Sequence, residues 1–266
     1  MTANLHMEIA GTGPAILAIH GFTGDSETLT PITKHLAKNR TVITVDLPGH
    51  GKTGLVEKSS YYQFDATVDS LNNLLERLGY NQVDILGYSF GGRLALALAI
   101  HYPTRIKSSI LISTSAGIEN KVLRSARQRT DNHLAQELIE KGIEWFVDYW
   151  MELPLFSSQK RLSIDMQKAA YEQRLRNDPR GLANSLIGAG VGNQNPLWKQ
   201  LEKIPGRVLL IVGEEDNKFR SLAIRLASGL KDAEISLIPE AGHTCFLENP
   251  LATINVIDDF LDQGIK

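Results

Sequence analysis

Cysteine is nearly missing from this sequence. A single thiol, Cys245, stands in 266 residues, so no intramolecular disulfide can form and no thiolate cluster can hold a metal. A reducing compartment suits such a chain, and the expected location is cytoplasmic. An excess of charge of either sign is missing too. The chain has 28 Lys and Arg against 30 Asp and Glu, a net charge of −2, whereas a nucleic-acid or anionic-membrane partner selects a basic surface. Long apolar runs are also lacking. The longest early one, Ala15 to Ile19, falls short of a signal-peptide core and far short of a bilayer span. No cluster of His, Cys and carboxylate has metal-ligand spacing, so neither a metal nor an organic cofactor is expected. What remains is an ordinary globular composition, 42% hydrophobic and 22% charged. The expected partner is a small molecule, and the expected state is a monomer or homodimer.

Short β-branched and Leu-rich runs alternate with longer helical patterns, which predicts an α/β fold with a mainly parallel sheet and helices on both faces. The predicted strands are Pro14 to His20, Thr41 to Asp46, Gln82 to Gly87, Ile106 to Ser113, Arg207 to Val212 and Glu234 to Ile238. Each is nearly uniformly apolar, as a strand covered on both faces should be. Between them, Leu71, Leu74, Leu75 and Leu78 have helical spacing, Phe90 to Ile100 is an Ala/Leu helix closed by Pro103, and Leu251 to Leu261 follows Pro250. From about Glu119 to Leu201 no strand pattern occurs. This predicts a helical cap, residues 119–201, inserted into a core made of residues 1–118 and 202–266. An insertion at the carboxyl edge of a parallel sheet lies where such sheets bind ligands.

The strongest chemical signal is Gly87-Tyr88-Ser89-Phe90-Gly91, between the apolar run Val83 to Leu86 and an Ala/Leu helix. A bare G-x-S-x-G is common by chance. At a sharp strand-to-helix turn, however, the glycines relieve crowding and the serine Oγ is pushed out beside a helix N-terminus. Such a serine needs a base. Among seven histidines, His6, His35, His101 and His133 fall at a terminus or in helical patterns, where solvated or packed side chains are the plain reading. His20 and His50 lie in turns after strands and either line the site or hold the turn. His243, in Ala241-Gly242-His243 just past a strand and ahead of the last helix, is the best base. The acid should lie in Gly213-Glu214-Glu215-Asp216, where three carboxylates compete in what is otherwise a solvated turn. Asp216, furthest into the loop and short, suits fixing an imidazole tautomer. The chain order Ser89, Asp216, His243 is that of a nucleophile-elbow hydrolase. The backbone N–H groups of Phe90, after the elbow, and Phe22, after His20-Gly21, are the natural oxyanion donors.

Together these motifs resemble the α/β-hydrolase superfamily over essentially the whole chain, from His20-Gly21-Phe22 through Asp46-Leu47-Pro48-Gly49-His50-Gly51 to the last helix. A narrower resemblance rests on Gly87-Tyr88-Ser89-Phe90-Gly91-Gly92-Arg93, Leu153-Pro154-Leu155-Phe156-Ser157-Ser158-Gln159, Gly213-Glu214-Glu215-Asp216-Asn217-Lys218-Phe219 and Gly242-His243. In these the chain is similar to the 2-succinyl-6-hydroxy-2,4-cyclohexadiene-1-carboxylate synthases of menaquinone biosynthesis. The resemblance implies a lyase, since that family eliminates pyruvate from a cyclohexene bearing carboxylates, using a hydrolase-type triad without hydrolysis. Phe90 replaces the family's common methionine, a change that leaves its backbone N–H in place.

An acidic substrate makes the arginines informative. Arg93, one turn into the elbow helix, either binds a carboxylate bidentately or forms a second-layer ion pair. In the cap, Arg124 and Arg127 lie one turn apart; the resemblance implies that Arg127 and Arg176 face the pocket, although helical arginines are ordinarily solvated. Tyr88 joins this substrate-binding set. Trp150 and Phe156 either wall the pocket or pack the cap, and Cys245 reads as a small buried hydrophobe. Two other readings stay open. A serine hydrolase of esters or carbon-carbon bonds would use the same residues nucleophilically, but a neutral substrate gains nothing from burying several cations. A small-molecule receptor on a retired hydrolase scaffold has the intact triad and both glycine turns against it.

Overall fold

The computed structural model describes residues 2–263. Seven strands, β1 (Met7–Ala10), β2 (Ala15–Ile19), β3 (Thr41–Val45), β4 (Val83–Tyr88), β5 (Ile106–Ile112), β6 (Val208–Gly213) and β7 (Ala233–Ile238), form one sheet in the order β1-β3-β2-β4-β5-β6-β7. All pairings are parallel except β1 with β3. The six predicted strands are all present, with ends shifted by a residue or two. β1 has no counterpart in the sequence reading. Its four residues carry no apolar run and are partly or fully exposed, and only antiparallel pairing, Met7 with Val45 through Ala10 with Val42, makes them a strand. β7 departs from the expectation of a strand covered on both faces. It is the sheet's edge, and Glu234, Ile235 and Leu237 are exposed.

β4 lies between β2 and β5 and is buried throughout. Its one charge, Asp84, is tied to Arg40 at 2.8 Å and Ser108 at 2.7 Å, as a buried carboxylate must be. On one face of the sheet lie α1 (Thr30–Leu36) and, near the C-terminus, α8 (Cys245–Glu248) and α9 (Pro250–Asp262). On the other lie α2 (Phe64–Arg77), α3 (Phe90–His101) and α7 (Asn217–Gly229). α3 is Ala/Leu-rich on every side because it is buried on every side, and it stops where Pro103 removes the next donor.

Between β5 and β6 the chain leaves the sheet. α4 (Lys121–Met151) starts at Asn120, whose side chain accepts from the N–H groups of Val122 and Leu123. It is broken at Gly142, where φ 86° and ψ 177° are open only to glycine. α5 (Ile164–Leu175) and α6 (Pro179–Ala189) follow, the latter capped by Asp178. Leu134, Leu138, Phe146, Val147, Leu182 and Leu186 close a separate small core. Phe22, on the loop after β2, packs against it, with its ring 5.2 Å from Trp150 and 6.3 Å from Phe146. These helices therefore sit over the carboxyl ends of the central strands.

Candidate active site

Ser89 links β4 to α3 with φ 50° and ψ −105°, a conformation that non-glycine residues rarely adopt. Its N–H donates to the Ile112 carbonyl at 2.8 Å, and its own carbonyl accepts from the Thr114 hydroxyl at 2.8 Å. The turn also needs room at Gly91, where a Cβ would lie 2.2 Å from the Ile19 carbonyl oxygen. That close approach brings the start of α3 against the end of β2. The loop carrying Phe22 and the helix start carrying Phe90 thus adjoin. The first α3 donor to find a backbone carbonyl is Arg93, on Ser89 at 3.1 Å, so Phe90 belongs to the unbonded first turn.

His243 completes the arrangement from the loop after β7. Its ring is almost wholly buried, with Nε2 3.1 Å from Ser89 Oγ and Nδ1 2.7 Å from Asp216 Oδ2. With a carboxylate on Nδ1 that nitrogen carries the proton, which leaves Nε2 to accept from the serine hydroxyl. Glu248 braces the loop, its carboxylate accepting from the N–H groups of Gly242 and Thr244 on either side of the histidine. Asp216 is buried and caps α7 by accepting from the Phe219 N–H. Its rivals point elsewhere: Glu215 is held by Arg161 through two 2.9 Å bonds, and Glu214 is exposed. The other histidines also sort cleanly. His20 donates to the Gly21 carbonyl and accepts from the Leu47 N–H, and burial lowers its pKa. His50 is buried beside it, donates to Pro48, and is held well below the usual histidine pKa by the same burial. Both are neutral members of the core.

Above Ser89 and His243 lies a cavity of about 360 Å³, walled by Phe22, Tyr88, Trp150 and Phe156 and by three cations, Arg93, Arg127 and Lys218. No carboxylate is among its described lining residues. Arg93 is buried, donates to Gln194 at 2.8 Å and to the Ala189 carbonyl at 3.1 Å, and lies over the Phe90 ring. Burial, and then Arg127, pull its pKa down to about 9, which still leaves it cationic at neutral pH. Arg127 donates to Asp131 at 2.7 Å. Asp131 is buried behind the wall, and burial raises its pKa.

Two expected arginines lie elsewhere. Arg124 donates to the carbonyls of Ile118 and Glu119 and pins the start of α4, off the cavity wall. Arg176 is 55% exposed and pairs with Asp25 at 3.1 Å and Glu27 at 2.7 Å. It lines a different cavity of about 670 Å³, between α5 and the loop after β2. Arg174 lines that same second cavity and not the one above Ser89; it is buried over the Phe156 ring, with its Nε unpartnered among the described residues. Two residues along a helix rotate a side chain by about 200°, so an offset of two exchanges one face for the other. Arg174 and Gln194 are absent from the sequence reading, and Lys218 enters it only within a motif, with no role of its own. The one usable signal was Lys218, a cation in the first turn of a helix, where the dipole disfavours it.

Comparison with known proteins identifies the family. The α/β hydrolase fold family model matches residues 14–250. A putative 2-succinyl-6-hydroxy-2,4-cyclohexadiene-1-carboxylate synthase of Bacillus subtilis is 38% identical over 257 residues, covering 95% of this chain and 93% of that one. The Escherichia coli protein of that name is 31% identical over 243 residues, 91% of each chain. The solved structure of MenH from S. aureus superposes with a TM-score of 0.94 at 33% identity, covering 98% of this chain and 99% of that one. The chain therefore belongs to the α/β-hydrolase family and, within it, to the family of the 2-succinyl-6-hydroxy-2,4-cyclohexadiene-1-carboxylate synthases.

Proposed function

We propose that this protein is a carbon-oxygen lyase that eliminates pyruvate from 2-succinyl-5-enolpyruvyl-6-hydroxy-3-cyclohexene-1-carboxylate to give 2-succinyl-6-hydroxy-2,4-cyclohexadiene-1-carboxylate. The observation that carries this reading is the cavity wall: three cations, no carboxylate among the described lining residues, and a hydrogen-bonded Ser-His-Asp set at its floor. The substrate has three carboxylates, on the succinyl arm, the ring and the enolpyruvyl group. An esterase pocket for neutral substrates would bear the desolvation cost of those cations for no return.

In this mechanism His243, oriented by Asp216, takes the Ser89 hydroxyl proton, and the serine oxygen removes the ring proton next to the succinyl ketone. Electrons move onto that ketone oxygen, where the N–H groups of Phe22 and Phe90 hold the charge. The charge returns through the ring double bond and breaks the carbon-oxygen bond at position 5. Enolpyruvate leaves, and the proton held by the Ser-His pair balances its conversion to pyruvate. Arg93 and Arg127 bind carboxylates, and Tyr88, Trp150 and Phe156 wall the ring. Residues 119–201 act as the cap over a core of residues 1–118 and 202–266, and the enzyme works in the cytoplasm.

Solvent oxygen separates this from hydrolysis, which uses the same three residues. In water enriched in heavy oxygen, the expected result is pyruvate release with no label in the ring product's carboxylates and no burst of acyl-enzyme. Efficient ester hydrolysis with no pyruvate release overturns the lyase reading and leaves a serine hydrolase.

A further inference from the structure

Of the three cations on the cavity wall, two already have partners. Arg93 donates to Gln194 and the Ala189 carbonyl, and Arg127 donates to Asp131. Lys218 stands apart. Among the described residues no carboxylate forms an ion pair with its ammonium, which lies 5.3 Å from the centre of the Phe219 ring. Asp216 attracts it from nearby but is engaged by His243 and the Phe219 N–H.

Stability alone would not place a lysine here. Lys218 is the second residue of α7, at the positive end of the helix, where the backbone dipole favours anions and disfavours cations. Burial, and then the charge of Arg127, depress its pKa. Three local terms thus oppose the charge, and only Asp216 favours it. Positions that break local rules without local compensation are where function outweighs stability.

We infer that Lys218 is a specificity residue that binds a substrate carboxylate at the cavity mouth, so that with Arg127 it selects polyanions over monoanions. The inference rests on the lyase reading for the identity of the substrate, but not for the existence of an anion site. Lys218 is an exposed residue that also lines the cavity, as a group that meets an incoming ligand must be. An ammonium on a flexible stem suits a carboxylate whose arm is itself flexible, whereas the forked guanidinium of Arg93 suits a fixed one.

Lys218→Gln and Lys218→Arg in the full chain test it. In Lys218→Gln, KM for the cyclohexene tricarboxylate should rise about tenfold or more while kcat falls less than about threefold. The loss in kcat/KM should exceed that on a neutral aryl ester by at least about fivefold, and Lys218→Arg should recover most of it. The Tm of ligand-free Lys218→Gln should rise, because a cation is removed from the helix N-terminus; a lysine kept for structure would lower it. Tricarballylate, an unreactive tricarboxylate, supplies an arm independent of chemistry, and its affinity by calorimetry should fall in parallel with the KM effect. If wild type releases no pyruvate, the lyase reading fails and the tricarballylate arm alone decides. An unaltered KM in Lys218→Gln overturns the inference. So, in the binding arm, does wild-type protein that fails to bind tricarballylate, or a variant that binds it equally.

Discussion

Ser89 is held at a strained backbone angle by bonds to Ile112, Thr114 and Arg93 rather than by its own preference. Its partner His243 is buried and fixed on both ring nitrogens, so the pair acts as one unit. Ser89→Ala and His243→Ala are each expected to lower kcat about a thousandfold or more, and the double variant to be little worse than either. Steady-state pyruvate release measures this, and a double variant showing the product of both losses would falsify the coupling. Asp216→Asn should be far more damaging than Glu215→Gln, whose carboxylate serves Arg161. Arg93→Ala and Arg127→Ala should each cost about 2–5 kcal/mol in kcat/KM on the tricarboxylate, with little change on a neutral ester. The Cys245 thiol, buried beside the His243 loop, is pushed up to about 12 from an ordinary value of 9.0. The folded chain keeps that proton longer than the unfolded one. The thiol's contribution is therefore complete below pH 9.0 and is lost as pH rises towards 12. Urea midpoints between those limits should decline less steeply for Cys245→Ala than for wild type. At this scale the hydrogen-bonded set of Ser89, His243 and Asp216 was legible because three motifs agreed with one chain order. Arg174 was not, because a mostly exposed helix gives no periodicity from which to choose between residues two apart.

Elements were legible in proportion to how completely they are buried. β4, α3 and β6 are apolar because the sheet and its helices enclose them, and their sequences say so directly. At the sheet's two edges the outcome differs: β1 was missed, because antiparallel pairing rather than composition makes it a strand, whereas β7 was legible as a strand but not as one with an exposed face. The turn between β4 and α3 depends on close backbone approach. Gly91→Ala would drive a Cβ to 2.2 Å from the Ile19 carbonyl, and we expect it to destabilise the protein by about 3 kcal/mol or more. Chemical denaturation measures that loss directly. Gly142 differs, since a Cβ there meets open space and only its left-handed backbone stands in the way. Gly142→Ala should cost about 1–3 kcal/mol, read by hydrogen exchange as faster opening of residues 143–151 with the sheet amides unaffected.

Across the whole molecule, the segment from Pro154 to Arg161 joins the helices over the sheet to the loops that carry Asp216 and His243. Gln159 donates to the Thr244 hydroxyl next to His243, while Arg161 grips Glu215 next to Asp216 and reaches the Glu240 carbonyl. Arg161→Ala removes an exposed pair and should change stability by less than about 1 kcal/mol, yet kcat should fall severalfold as the acid's loop loosens. Turnover alongside thermal melting separates the two effects. Such long-range bonds had no trace in the sequence, because they join segments more than fifty residues apart.

The exposed edge strand β7 has consequences for handling the protein rather than for its chemistry. Ile235 is 37% exposed and Leu237 46%, beside a strand edge with no neighbour in the sheet. Such an edge is a template for pairing with another chain whenever the surrounding structure loosens. Glu234, linked to Arg207 at 3.2 Å, supplies the strand with a charged gatekeeper, but one at its beginning only. Concentrated or warmed samples should therefore turn cloudy well before the sheet itself melts. A lysine substituted for Ile235 would delay that turbidity at the same protein concentration and leave pyruvate release untouched.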